Sequence, residues 1–508
     1  MKSTFHLINS RAGKTLLLVL LEVLWILVLS YYLHPYAAWL ESSLRIISVF
    51  IVLYIVNTSK HLSSDLMWVM IVMIFPVAGT LVFIFFEVAD RFSSPTYKNI
   101  QAETKTAAHY YVQDEDILKE AKGSNPLAAG QFEYLSHTAG FPVYRNTQFS
   151  YYGVGEEGWP VMLEEMRKAK HFIFLEYFII EKGRMWNSML EILKQKAAQG
   201  VDCRVLYDDM GSINTVPIKY ACELEKMGIK AQAFNKVNPL INGIMNHRDH
   251  RKILVIDGKT AFSGGINLAD EYINIKSKYG HWKDNCIRIK GPSVWSYTVL
   301  FLTMWNAARH EDDDYTKYKA EPYRSEQDGW IVPYGDTPLD DSLIGENVYI
   351  NILNAAQKYC YIFTPYLIID EDMMNALILA AQRGVDVRII TPGIPDKKII
   401  YNITRSYYPN LIKAGVKIYE YTPGFDHAKV FVSDDTVATV GTINLDYRSL
   451  YLHFENGTLL CNSKEIARIR DDFLDSMKKS REVTLANFKP GILRTILYMN
   501  IRLFAPMM

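Results

Sequence analysis

The sequence predicts an α/β protein behind N-terminal transmembrane helices, with two fused copies of one α/β half forming a pseudo-dimer around one shared active site. Three observations lead there. The longest apolar stretches fall within the first ninety residues. Beyond Thr96 one order of strands and helices occurs twice. Each copy carries a His-x-Lys-x4-Asp stretch at the same place, "HRKILVID" at His250–Asp257 and "HAKVFVSD" at His427–Asp434.

Residues 1–95 read as a membrane anchor with two or three hydrophobic helices. "TLLLVLLEVLWILVLSYYL", Thr15 to Leu33, approaches the roughly 20 apolar residues that cross a bilayer. "LMWVMIVMIFPVAGTLVFIFF", Leu66 to Phe86, is a second candidate span, with Pro76 and Gly79 of the kind lipid tolerates. "RIISVFIVLYIV", Arg45 to Val56, is shorter, and either spans with help from preceding residues or lies re-entrant. More membrane-grade sequence follows the first stretch, which argues against a cleaved signal peptide. Lys2, Arg11 and Lys14 favour a cytoplasmic N-terminus. Two spans would then leave the remainder on the cytoplasmic face of a cell membrane, three on the outer face. Glu22 within the first stretch is a functional candidate, or a carboxyl paired at the interface.

The whole chain, 508 residues with 55 basic and 55 acidic side chains, can bury two or three full cores. Zero formal charge lacks the basic field a nucleic-acid partner requires. Five cysteines without CxxC spacing read as buried free thiols, neither a metal site nor a disulfide framework.

The repeat organises the rest. After a connector over 96–130, "KHFIFLEYFII" (Lys170–Ile180) matches "KYCYIFTPYLII" (Lys358–Ile369), and "AAQGVDCRVLYD" (Ala197–Asp208) matches "AAQRGVDVRIIT" (Ala380–Thr391). "EKMGIKAQAF" (Glu225–Phe234) and "IKAGVKIYEY" (Ile412–Tyr421) each lead into a His-x-Lys strand, followed by "SGGINLADEY" (Ser263–Tyr272) and "VGTINLDYRS" (Val440–Ser449). β-branched runs alternating with helices give a mixed, mostly parallel sheet between helices. The halves are assigned to 131–309 and 339–486, with an acidic, Tyr-rich linker over 310–338. The tail, 487–508, has Leu493, Ile496, Leu497, Ile501 and Phe504 at helical spacing, suiting a helix lying in the headgroup region or a packed tail.

Candidate catalytic residues follow from the twin motif: His250, Lys252, Asp257, His427, Lys429 and Asp434. Side chains two apart on a strand share a face, so His250 points with Lys252 and His427 with Lys429. Chance supplies about 0.04 such matches in a chain with 12 histidines. Two lysines near one point suit a phosphodiester's free oxygens. One imidazole can attack phosphorus while the other moves protons. Asp257 and Asp434 fall at hairpin turns, and their expected part is to hold the turn. Asn267 and Asn444 on the following strand can add neutral donors to the phosphate. Aligning "HWKDNCIRI" with "LHFENGTLL" places Asp284 over Glu455, the candidates for orienting the imidazoles. Asp446 and Arg448 suit either a headgroup contact or an internal ion pair. His247 and His250, three apart on a strand, make a poor zinc pair, and "GKT" at Gly258–Thr260 lacks a phosphate loop's upstream glycine.

These paired motifs resemble the phospholipase D superfamily. The membrane segments followed by "FPVYRNTQFSYYGVGEEGW", "FLEYFII", "VLYDDMGS", "GGINLADEY", "GTINLDYRS" and "FEN" are similar to bacterial cardiolipin synthases, over nearly the whole chain. The resemblance implies two phospholipase D-like halves and transfer of a phosphatidyl group between two phosphatidylglycerol molecules, giving cardiolipin and glycerol. It implies no metal or other cofactor, membrane lipids as partners and no nucleic acid. It makes His250 the nucleophile, through a phosphohistidine, and His427 the acid and base. The first half departs from the pattern in having "GGINLADEY" where the second has Arg-Ser. A hydrolytic phospholipase D or another phosphodiesterase would use the same residues, and an inactive membrane scaffold is a third reading.

Overall fold

A computed structural model describes residues 37–58, 62–76, 78–91, 95–236, 247–320, 329–340, 342–488 and Arg502. The chain forms two units, Met1–Ser93 with Val237–Ile244, and Ser94–Lys236 with Met245–Met508.

In the first unit, helices Ala37–Thr58, Leu62–Ile74 and Ala78–Arg91 share a small core of Ile55, Val72 and Phe83. The stretch Leu66–Phe86, expected to be one span, is therefore two helices of 13 and 14 residues. The break falls at Pro76, which has no N–H to continue the ladder and crowds the preceding turn. Gly79 then passes so close to the carbonyl of Ile71 that a Cβ would lie 2.5 Å from its oxygen. Thirteen residues reach only about 20 Å, short of the ~30 Å hydrocarbon core. The 45–56 stretch lies inside the 22-residue helix, whose N-terminal part carries Glu41 and Arg45. Among the described residues no helix is long and apolar enough to cross a membrane. Large apolar side chains nevertheless face outward here, among them Trp39, Phe50, Leu53, Met73 and Leu81. The first apolar stretch, Thr15–Leu33 with Glu22, lies outside the described residues, as does most of the C-terminal tail. At the tail's edges Phe488 is buried with its ring 5.8 Å from Tyr408, and Arg502 lies 4.4 Å over the ring of Tyr407.

The second unit holds the repeat. Its first sheet has seven strands in the order Gln148–Tyr152, Cys286–Lys290, Thr260–Gly264, Lys252–Ile256, Phe172–Tyr177, Asp202–Asp208 and Lys230–Phe234. The second repeats this order: Trp330–Asp336, His453–Cys461, Val437–Gly441, Val430–Ser433, Tyr359–Phe363, Asp386–Pro392 and Lys417–Tyr421, with Ser480–Val483 added at the far edge. Strand Trp330–Asp336 lies within the range assigned to the linker but is the edge strand of the second sheet. Pro333 and Gly335 disguise it, and an edge strand tolerates both. The sheets are mixed but not mostly parallel as expected. In each, only the strands joined by helices pair in parallel, Phe172–Tyr177 with Asp202–Asp208 and Lys230–Phe234, and Tyr359–Phe363 with Asp386–Pro392 and Lys417–Tyr421. The other pairs within each sheet are antiparallel. Central strands such as Phe172–Tyr177 are buried on both faces, which explains their unbroken apolar runs. Four of the five cysteines are buried; Cys222 is exposed.

Two short pairings tie the halves together. Arg248–Asp249, from the first half, pairs in parallel with His453–Phe454 of the second. Gly424–Asp426, from the second half, pairs in parallel with His281–Lys283 of the first. Arg251 reinforces the first of these, its Nε donating to the backbone oxygen of Glu455 at 3.1 Å. These exchanges position the site.

Candidate active site

The parallel register fixes which residue faces which. With Arg248 opposite His453 and Asp249 opposite Phe454, the next step brings His250 to Glu455, and the His250 N–H donates to the Phe454 oxygen at 2.9 Å. At the other crossing the His427 N–H donates to the Lys283 oxygen at 2.7 Å, which brings His427 to Asp284. The carboxylates are thus exchanged between halves. Glu455 receives the Nδ1–H of His250 at 2.8 Å, and Asp284 receives that of His427 at 2.7 Å. The sequence singles out both acids but not the crossing. Neither is a surface group, because both are completely buried.

Each carboxylate is itself held. Thr442 Oγ1 donates to Glu455, and Asp284 accepts the Asn285 N–H at 2.8 Å. Gly265 has no side chain because none fits; a Cβ there would lie 1.9 Å from Asp284 Oδ1.

An ionised carboxylate only accepts, so Nδ1 carries the proton on both rings and Nε2 keeps its lone pair. Burial, with Lys252 and Lys429 adding to it, pushes His250 well below the usual imidazole range. Burial and then Lys429 bring His427 down to about 4. Both imidazoles are therefore neutral at pH 7. Burial also brings Lys252 down to about 7 and Lys429 to about 8. Each lysine donates to the carbonyl of its own motif histidine, Lys252 to His250 at 2.6 Å.

His250 and His427 open on one cavity of about 730 Å³. Asn267 and Asn444 line it as well; the Asn267 amide donates to Tyr272 Oη at 2.8 Å, and that of Asn444 to Asp446 at 3.0 Å. Lys252 and Lys429 are not among the lining side chains; each ammonium is turned to the backbone carbonyl of its own motif histidine. Asp257 and Asp434 stand elsewhere. Asp257, with φ of 52°, caps the Lys170, His171 and Phe172 N–H groups at 2.8–2.9 Å. Asp434, with φ of 55°, does the same for Gln357, Lys358 and Tyr359. Their place in the catalytic set is corrected accordingly: they hold the turns, as the hairpin position suggests, and touch nothing in the cavity.

Sequence reasoning missed His453. It lines the cavity with its ring 5.4 Å from that of His250 and its Nδ1 3.7 Å from Glu455. His250, His453 and Glu455 are the group among the described residues whose donor atoms are close enough to hold a metal ion, within 4.8 Å of one another. The signal was available, since His453 sits two residues before Glu455, on the same strand face. Arg248, beside the motif, was missed too.

A family described as "Cardiolipin synthase, PLD-like domain" matches residues 162–305 and 349–477, one segment in each half. An uncharacterised protein of Streptococcus mutans is 45% identical over 90% of this chain and 99% of its own. A cardiolipin synthase of Halalkalibacterium halodurans is 32% identical over 87% of this chain and 88% of its own. Among solved structures, a phosphatidylserine synthase of Haemophilus influenzae is similar in fold alone, at a TM-score of 0.55 and 15% identity, over 71% of this chain and 95% of that one. With both halves matched, and a named synthase nearly a third identical along most of its length, the chain belongs to the phospholipase D-like family of cardiolipin synthases and is a phosphatidyltransferase.

Proposed function

We propose that the protein moves a phosphatidyl group from one phosphatidylglycerol to another, releasing glycerol and forming cardiolipin. The observation that carries this reading is the pair of imidazoles, each fixed by a buried carboxylate from the opposite half and open to one cavity, with a buried lysine two residues from each. The Nε2 lone pair of His250 attacks phosphorus, and the bond to the glycerol oxygen breaks. The leaving oxygen needs a proton, and His427 supplies it. Burial and then the Lys429 charge keep His427 neutral. An arriving phosphodiester anion offsets that charge, letting the imidazole take up the proton it then donates. The hydroxyl of a second phosphatidylglycerol returns the proton to His427 and displaces His250 from phosphorus, closing a ping-pong cycle. The outward-facing apolar side chains of helices Ala37–Thr58 and Ala78–Arg91 support a membrane setting for the first unit.

The test is incubation of purified full-length protein with phosphatidylglycerol in detergent, reading products by mass. Cardiolipin and glycerol are expected, and a folded His250→Ala variant should lose turnover by orders of magnitude. Phosphatidic acid as the main product would make the protein a hydrolase instead.

A further inference from the structure

The internal repeat provides a control for the cavity, since each lining position has a counterpart in the other half. The catalytic parts match: histidine, lysine, asparagine and orienting acid occur on both sides. The walls beside them do not. At one crossing the register sets His453 against Arg248, and at the equivalent crossing it sets Trp282 against Phe425. Trp282 and Phe425 pack with ring centroids 4.8 Å apart, making the wall beside His427 aromatic. The wall beside His250 carries an imidazole and a guanidinium in their place. A third difference falls on the same side, because "INLDYRS" has Arg448 where "INLADEY" has Glu271. Arg248, Arg448 and His453 all line the cavity.

These groups are built in. Arg248 is 2% exposed, and its guanidinium lies 3.7 Å from Asp208. Its Nη1 also donates to the backbone oxygen of Asn235 at 2.9 Å. The Nδ1 of His453 is buried without a hydrogen-bond partner. Lys278 and Lys397 also reach the cavity, but as exposed side chains they mark no particular wall.

We propose that Arg248, Arg448 and His453 form a second anion subsite, which takes the phosphate of the acceptor lipid. The inference rests on the transferase reading above. Joining two phosphatidylglycerols brings two phosphodiester anions into one cavity, separated by a single glycerol. The reacting one lies over Lys252 and Lys429. The other, its acyl chains directed elsewhere, needs its own cations against the cost of burial. Guanidinium groups match phosphate oxygens in pairs, which suits them to this place better than lysine. Water or free glycerol as acceptor carries no phosphate and needs no such wall.

The experiment compares two products of one phosphatidyl-enzyme: cardiolipin, and phosphatidylglycerol labelled by exchange with deuterated glycerol. Full-length wild-type protein, Arg448→Gln and His453→Asn are assayed in the same mixed micelles, with folding checked by circular dichroism. Each variant should lower the ratio of cardiolipin to labelled phosphatidylglycerol by about tenfold or more, the size of a lost hydrogen bond to a charged group. The Michaelis constant for acceptor lipid should rise with it. A ratio unchanged in both folded variants overturns the subsite, whether or not total activity falls, since the groups would then serve the reacting phosphate or the fold. Wild-type protein that makes neither product overturns the transferase reading, and the subsite with it.

Discussion

Glu455→Gln and Asp284→Asn should fail in different ways, because each carboxylate serves the histidine of the opposite half. The side chains keep their shape but lose their charge. At a fully buried site, an imidazole N–H left without its charged acceptor costs about 1–3 kcal/mol. The larger effect is the tautomer. An amide can turn its NH2 toward Nδ1, which moves the ring proton to Nε2 and removes the lone pair that must attack or accept a proton. In the best-studied carboxylate–histidine pair the equivalent change lowers kcat by about 10⁴. With donor–acceptor distances of 2.8 and 2.7 Å, a loss of about 10³ to 10⁴ is expected here, or roughly 4 to 5.5 kcal/mol of barrier. The assay separates the steps with a phosphatidyl p-nitrophenol donor, whose leaving group needs no proton. Asp284→Asn should then release nitrophenolate in a burst and hold a covalent phosphatidyl-enzyme, visible by intact mass after acid-free quenching. Glu455→Gln should give neither burst nor adduct. The reverse pattern would exchange the roles of His250 and His427, and two variants with near-normal turnover would refute the crossed pairing as a catalytic device.

Gly265→Ala should behave as Asp284→Asn does, with at least about a hundredfold loss on phosphatidylglycerol, because the new methyl takes the space of Asp284 Oδ1. Normal turnover in that variant would mean the acid need not stand where it does. Asp257→Ala, which strips an acceptor from three N–H groups, should lower the melting temperature while the folded protein keeps kcat within about threefold, the loss being about 1–3 kcal/mol of stability. A selective loss of kcat would return Asp257 to the chemistry. Inorganic phosphate should bind with proton uptake between pH 7 and 8.5. Burial holds Lys252 at about 7 and Lys429 at about 8, so the protein gives up protons in that window, and a bound anion raises both values. Calorimetry in buffers of different ionisation enthalpy gives the sign, and proton release would contradict the assigned lysine environment.

The repeat and its motif were legible because both are local. Strand periodicity, the His-x-Lys spacing and the turn aspartates all act within a dozen residues, and the turns at Asp257 and Asp434 formed as their chemistry suggests. Aligning the halves also found Asp284 and Glu455. The crossing was hidden, since it depends on a two-residue strand pairing across 205 residues and a three-residue strand pairing across 143, both too short to leave a hydrophobic pattern. Strand Trp330–Asp336 was hidden by its own Pro and Gly. Leu66–Phe86 misled in the other direction: hydropathy counts residues and ignores the break that Pro76 imposes.

Duplication explains why the crossing matters to the chemistry. A half that oriented its own histidine would keep a fixed tautomer, and so a reactive imidazole, before the halves had docked. Here the carboxylate arrives only with the partner half, so the lone pair at Nε2 is fixed by the same pairing that closes the cavity around it. Symmetric machinery of this kind still cannot tell two molecules of one lipid apart. In the proposed ping-pong cycle order of arrival makes one lipid the donor and the next the acceptor, and what a twofold site lacks is a separate place for the acceptor's phosphate. The separate acceptor place proposed above draws on positions the repeat does not preserve. Those that line the cavity replace the aromatic pair Trp282 and Phe425 with His453 and Arg248, and Glu271 with Arg448. On the proposed transfer, the places of donor and acceptor are therefore set by the walls, while the histidines, lysines and acids supply the bond-breaking common to both half-reactions.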